Sequence, residues 1–155
     1  MDMGHLYTSV DGRINRAKYW LGAIVLGIIL LLVMYGSIYA AGGSVLEQDS
    51  RTRMITLVVS LVFLYPSIAL MVKRLHDRNR PGYFAAFMLV PLILKGATDV
   101  MGLTGDPLDQ NALDYVFLAI IGVVGIWFFV ELGCLRGTVG PNQYGPDPLA
   151  GAPAR

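Results

Sequence analysis

The chain has 155 residues, 55% hydrophobic and 15% charged, with twelve Lys and Arg against eleven Asp and Glu. A soluble domain of this length carries about 25% charged residues to wet its surface, so the composition excludes an ordinary soluble globule, and the mean hydropathy of +0.58 agrees. A formal net charge of +1 argues against nucleic acid as a partner, because neutralising several phosphates needs a concentrated basic surplus.

A 19-residue arm precedes the first apolar run, residues 20–43, which holds 24 residues without a charge. That is far longer than the roughly 7–15-residue core of a cleaved signal peptide, so it reads as a retained transmembrane helix. The second run, 54–72, has 19 uncharged residues with Pro66 inside; membrane helices tolerate such a proline where neighbours cover the freed carbonyl. Both runs meet the roughly 20 residues needed to cross the hydrocarbon. The third run, 82–94, is short and carries Pro91. Extended to Ala97 with Lys95 snorkelling, it spans; the alternative is a re-entrant hairpin. The fourth, 115–130, spans if Asp114 and Glu131 sit at its two boundaries. The expected fold is one all-α domain over residues 1–155, an integral membrane four-helix bundle with helices at about 20–43, 54–74, 82–97 and 114–133 and a structured Gly/Pro-rich tail at 136–149.

Charge order supplies an orientation. With four spans, the arm, the 73–81 connection and the tail share one side and carry Arg13, Arg16, Lys18, Lys73, Arg74, Arg78, Arg80, Arg136 and Arg155. The other side has Arg51, Arg53 and Lys95 with Glu47, Asp49, Asp99, Asp106, Asp109 and Asp114. The positive-inside rule then puts both termini in the cytoplasm of a multi-pass inner-membrane protein. Tyr19 and Trp20, Tyr83 and Phe84, and Trp127 to Phe129 fall at helix ends, where amphipathic rings favour the headgroup level.

Three polar clusters meet on that basic side. In the first, Arg13, Asn15 and Arg16, the two arginines are three apart and on a helical turn would grip one anionic headgroup. The second runs from Lys73 through Arg74, His76, Asp77, Arg78 and Arg80 to Pro81; there Asp77 is expected to pair with Lys73 or Arg74, and Pro81 to end the helix. His76 beside Asp77 invites a general-base reading, but adjacent helical residues point about 100° apart and no nucleophile stands at a motif spacing. The third is the tail with Asn142, Tyr144 and Asp147, whose prolines and glycines imply stiff turns. Glu131, a few residues before Arg136, is expected to be an interfacial carboxylate paired with one of the arginines on the basic side rather than a proton relay. Cys134, the single cysteine, excludes an intrachain disulfide and reads as a small buried packing residue. His5, His76 and Cys134 lack ligand spacing, so no metal and no cofactor is expected.

These clusters, in this order, resemble the bacterial inner-membrane family called domain of unknown function 805, the YhaH-like proteins. The resemblance rests on Gly12-Arg13, Asn15-Arg16 and Tyr19-Trp20, then Arg74-Leu75-His76-Asp77, then Asn142 with Tyr144-Gly145-Pro146-Asp147-Pro148, and covers residues 8–149. After the second signature the family prefers a glycine, a small hydroxyl residue and tryptophans; here Asn79, Pro81, Tyr83 and Phe84 stand. The resemblance implies a small helical inner-membrane protein and carries no activity. The residues themselves favour a non-enzymatic component binding anionic lipid or a partner protein, with a homo-oligomer or another membrane protein as the protein partner. A small oligomeric transporter or channel is the alternative.

Overall fold

The computed structural model describes residues 3–46 and 49–150; Glu47 and Arg155, which entered the charge pattern, lie outside the described residues. A short helix α1 (Met3–Thr8) is followed by α2 (Arg16–Ala40), α3 (Ser50–Asp77), α4 (Ala86–Val100) and α5 (Ala112–Phe128). A 3-10 turn (Gly82–Ala85) leads into α4, and α5 runs on as a π-helical turn (Phe129–Cys134). Among the described residues there is no β-strand, only isolated bridges at Asp106/Asp109 and Asn142/Gly145. Four helices are long and apolar enough to cross a membrane: Arg16–Ala40, Ser50–Asp77, Gly82–Val100 and Ala112–Cys134. Their large apolar side chains point outward; Leu32 is 70% and Val123 71% exposed. In water each exposed side chain of this kind would forgo about 1.5–3 kcal/mol of burial, whereas in lipid the outward face loses nothing.

Each of these helices differs from its expected bounds at an end, for a reason visible in the local bonds. α2 starts at Arg16 because Asn15 caps it, its Oδ1 accepting from the Lys18 N–H at 2.9 Å. α3 starts at Ser50, where Asp49 Oδ1 accepts from the Thr52 N–H at 2.8 Å; this bond holds the Asp49 carboxyl below its usual value. α3 stops at Asp77, before Pro81, and Asn79 caps it. Its φ is +56°, Asn79 N–H donates to His76 O at 3.0 Å and Arg80 N–H to Leu75 O at 2.8 Å, a left-handed cap that asparagine tolerates. Pro81 instead opens the 3-10 turn with ψ 145°. The third run is one continuous helix through Pro91, with no hairpin return inside Gly82–Val100.

The described residues gather into two compact units. One, residues 27–64 and 87–125, contains the 41–49 and 101–111 connections. Arg53 there donates to Asp99 O at 2.9 Å and Thr104 O at 3.1 Å and pairs with Asp106 at 3.0 Å. Lys95 bridges Asp99 and Asp114. The other, residues 3–26, 65–86 and 126–150, contains the arm, the 78–81 connection and the tail. Its apolar centre is Leu6, Ile14 and Leu70, flanked by Tyr7, Tyr19 and Leu26.

The arm is not a strand of solvent-exposed chain. Leu6 packs on Leu70 in that centre, Tyr7 Oη donates to Gly22 O at 3.0 Å, and Tyr65 Oη donates to Thr8 O at 2.7 Å. Lys73, fully buried, turns its ammonium onto the carbonyls of His5 and Leu6, the last turn of α1. Tyr65 lies twelve residues before Asp77, about 18 Å along α3. Thus α1 lies alongside α2 and α3, with the carbonyls of His5, Leu6 and Thr8 covered by a cation and a phenol.

Candidate functional site: an arginine knot and a basic rim

Asp77 ends α3 and is the centre of a buried knot. Arg13, whose side chain is 1% exposed, donates from Nε and Nη2 to Asp77 Oδ1 at 3.2 and 3.1 Å. Its remaining donors meet the tail: Nη1 reaches Gly140 O at 2.8 Å and Gly145 O at 3.2 Å, and Nη2 reaches Thr138 O at 2.7 Å. Arg74 pairs with Asp77 Oδ2 and donates through Nε to Leu132 O at 2.8 Å and through Nη2 to Leu135 O. Two guanidiniums therefore share one carboxylate, and backbone carbonyls from the arm (Ile14), the α5 end and the tail take up their other donors. Such saturation is what allows a buried ion group to persist, since the desolvation of each charge is offset only when geometry and hydrogen bonds are complete.

The geometry differs here from the sequence expectations in three respects. Arg13 precedes α2 outside any helix and is buried, while Arg16 starts α2 and is exposed, so the two do not share a helical face. Lys73 does not pair with Asp77; it belongs to the arm. Cys134 is exposed rather than buried, because the π-helical turn directs Glu131, Leu132 and Gly133 inward and leaves the next side chain outside.

The tail is docked on the end of α3. Tyr144 stacks on His76 with ring centres 3.9 Å apart and planes at 3°. Asn142 Nδ2 donates to His76 O at 2.9 Å and to Thr138 Oγ1 at 2.8 Å. Its Oδ1 accepts from Tyr144 N–H at 2.9 Å. Gly145 has φ +134°, a backbone setting that favours glycine. Asp147 closes the turn, accepting from the Gly140 and Leu149 N–H groups at 2.9 Å each; these two bonds draw its carboxyl below the usual value. His76 Nδ1 lies 3.3 Å from Gly12 O, and a carbonyl only accepts, so this nitrogen carries its proton. Nδ1 faces Gly12 O, Tyr144 covers one ring face and two arginines hold Asp77, so no hydrogen bond joins His76 to Asp77 among the described residues.

The carboxyl end of α5 is capped by side chains from elsewhere in the unit. Trp20 Nε1 donates to Gly133 O at 3.2 Å and Arg16 Nη1 to Cys134 O at 2.8 Å, besides the two Arg74 bonds. Arg78 Nη1 takes Arg136 O. Cations on the orphan carbonyls of a helix end satisfy both the hydrogen bonds and the dipole.

A second arginine group repeats the two-to-one ratio. Glu131, buried, accepts from Arg78 Nε and pairs with Arg80 Nε, each at 3.3 Å. Arg80, a member of the second polar cluster, is 46% exposed in its side chain. Its guanidinium lies 5.8 Å from the centre of the Phe84 ring. Phe84 in turn lies 5.1 Å from Tyr83 and 6.1 Å from Trp127 between ring centres. A two-to-one ratio of arginine to carboxylate was not visible in the sequence, because Glu131 and Arg80 are 51 residues apart. Among the described residues no group of three or more His, Cys, Asp or Glu side chains could hold a metal ion.

A helical, multi-pass membrane protein whose arm, α3 end and tail are bound into one arginine-rich unit is the class that this architecture defines. The chain belongs to the family described as a protein of unknown function, DUF805, which matches residues 7–146. It is 33% identical to the uncharacterized protein YiiR of Escherichia coli strain K12 over 142 residues, 90% of this chain and 85% of that one. It is 28% identical to the inner membrane protein YhaH of the same strain over 148 residues, 92% and 88% of the two chains. With the inner membrane protein YhaI, identity is 25% over 146 residues, 94% and 91% of the two. No solved structure matches the chain.

Proposed function

We propose that the chain is a non-enzymatic inner-membrane protein with both termini in the cytoplasm, and that its arm, α3 end and tail form a rigid basic platform for anionic lipid. The observation that carries this is charge left over after internal pairing. The unit holding these segments has eight basic and four acidic described side chains, and Arg16, Lys18, Arg80 and Arg136 are exposed. The other unit has three basic and five acidic described side chains. Exposed cations at a bilayer surface attract anionic lipid by about 1 kcal/mol each, and a platform held by buried bonds presents them without an ordering cost at binding.

Two measurements test it. A paired cytoplasmic and periplasmic reporter fused after Arg155 is expected to give the cytoplasmic signal; a periplasmic signal would separate the tail from the arm's side and end the shared-platform reading. In nanodiscs of equal phosphatidylglycerol and phosphatidylcholine, lipid carried off with the protein is expected to be enriched in phosphatidylglycerol. Replacing Arg16 and Lys18 together by Gln lowers that enrichment, by about fivefold for each full charge contact, and added salt weakens it. Equal retention of both lipids by the wild type would sink the lipid reading and leave a protein partner as the occupant of the face.

A further inference from the structure

The two arginine groups differ in what they have left to give. In the Asp77 knot every donor of Arg13 is taken up, and Arg74 is wholly buried. In the Glu131 group, Arg80 spends Nε on the carboxylate, while neither of its Nη groups hydrogen-bonds any described residue. Buried Glu131 fixes the guanidinium in place, and the pairing of Arg78 and Arg80 with one carboxylate leaves one positive charge. Beside it runs an aromatic shelf, Phe84, Tyr83 and Trp127, with Tyr83 71% exposed.

From this juxtaposition we propose a site for a single anionic phospholipid, its phosphodiester on the Nη groups of Arg80 and its glycerol and upper acyl chain along Phe84, Tyr83 and Trp127. The guanidinium fork matches two phosphate oxygens. A net charge of one complements a monoanionic phosphodiester and repels the choline of a zwitterionic one. Amphipathic rings at the end of spanning helices sit at the glycerol level, which is why the ligand is a lipid and not free phosphate. The proposal rests on the anionic-lipid reading above and adds one defined binding place to it.

Native mass spectrometry of the full chain released from nanodiscs of equal phosphatidylglycerol and phosphatidylcholine tests it. The expected result is one tightly retained phosphatidylglycerol, with Arg80→Gln weakening its retention about tenfold or more, the range for hydrogen bonds to a charged group. Trp127→Ala weakens it through the shelf, which keeps the test valid if Arg80→Gln fails to fold. Arg16→Gln with Lys18→Gln lowers the general enrichment and leaves that one lipid bound. Glycerol phosphate, carrying the headgroup chemistry without chains, does not displace it. Retention unchanged in both Arg80→Gln and Trp127→Ala overturns the site while the platform reading stands on the Arg16 and Lys18 effect. Displacement by glycerol phosphate assigns the arginine to a soluble phosphoester and overturns the lipid. Absence of any phosphatidylglycerol preference in the wild type overturns both.

Discussion

Asp77→Ala is expected to destabilise the arginine-rich unit by about 3–5 kcal/mol, the cost of leaving buried charge uncompensated. Two guanidiniums would remain at the end of α3 without a counter-ion: Arg13, whose side chain is 1% exposed, and Arg74, at 0%. Neither can reach solvent without pulling the carbonyls of 132, 135, 138, 140 and 145 out of their bonds. Denaturation in mixed micelles, followed by the fluorescence of Trp20 and Trp127, reads the loss. The pairing is a network, so single losses must not add: the Asp77→Ala, Arg13→Gln double variant falls short of the sum by a coupling of about 0.5–3 kcal/mol. Additive losses would mean that the two residues act independently and that the knot is not a unit.

The second large effect is expected at a residue with no functional group. Gly137 passes so close to Asp77 that a Cβ there would lie inside van der Waals contact of the carboxyl carbon and both its oxygens. A flexible carboxylate would move aside; this one is held by Arg13 and Arg74, so the chain must move instead. Gly137→Ala therefore breaks the Thr138 N–H bond to Asp77 O, 2.8 Å, and the adjoining Arg13 bonds. The cost is about 1–3 kcal/mol, typical of overpacking, and the tail from Thr138 onward becomes open to limited proteolysis. Gly27→Ala in α2, where a Cβ meets nothing within 4 Å, is the control and leaves cleavage unchanged. A tail equally resistant in Gly137→Ala and wild type would show that the docking does not depend on this approach.

Both effects concern contacts that no reading of local pattern supplies. Arg13 and Arg16 are the same residue type three positions apart, in a stretch that reads equally as an orientation signal and as a headgroup clamp. One becomes a buried structural ion and the other an exposed helix-starting cation because Asn15 caps α2 between them. Their acceptors lie far along the chain: Arg13 is separated from Thr138 by 125 residues and Arg16 from Cys134 by 118. The arm was equally opaque. Six helical residues are too few to hold a helix alone, and α1 exists through Lys73, Tyr7, Tyr65 and the Leu6–Leu70 contact. The exposure of Cys134 followed from a π-helical turn, one extra residue per turn at the end of α5, which residue types do not announce.

Length and uninterrupted apolar runs were sufficient for four helices and their approximate limits, and three ordered residue signatures for membership of a membrane family. These are properties of consecutive residues: a helix crosses hydrocarbon when some twenty neighbours in sequence are apolar, which the first two runs satisfy outright and the last two when extended through charged residues at their ends. Which arginines are saturated and which have donors to offer was decided only by the tertiary structure. A guanidinium presents five N–H groups, and whether they are spent depends on carbonyls brought from the arm, the α5 end and the tail. Arg13 and Arg80 each share a buried carboxylate with a second arginine, but only the first is ringed by folded backbone.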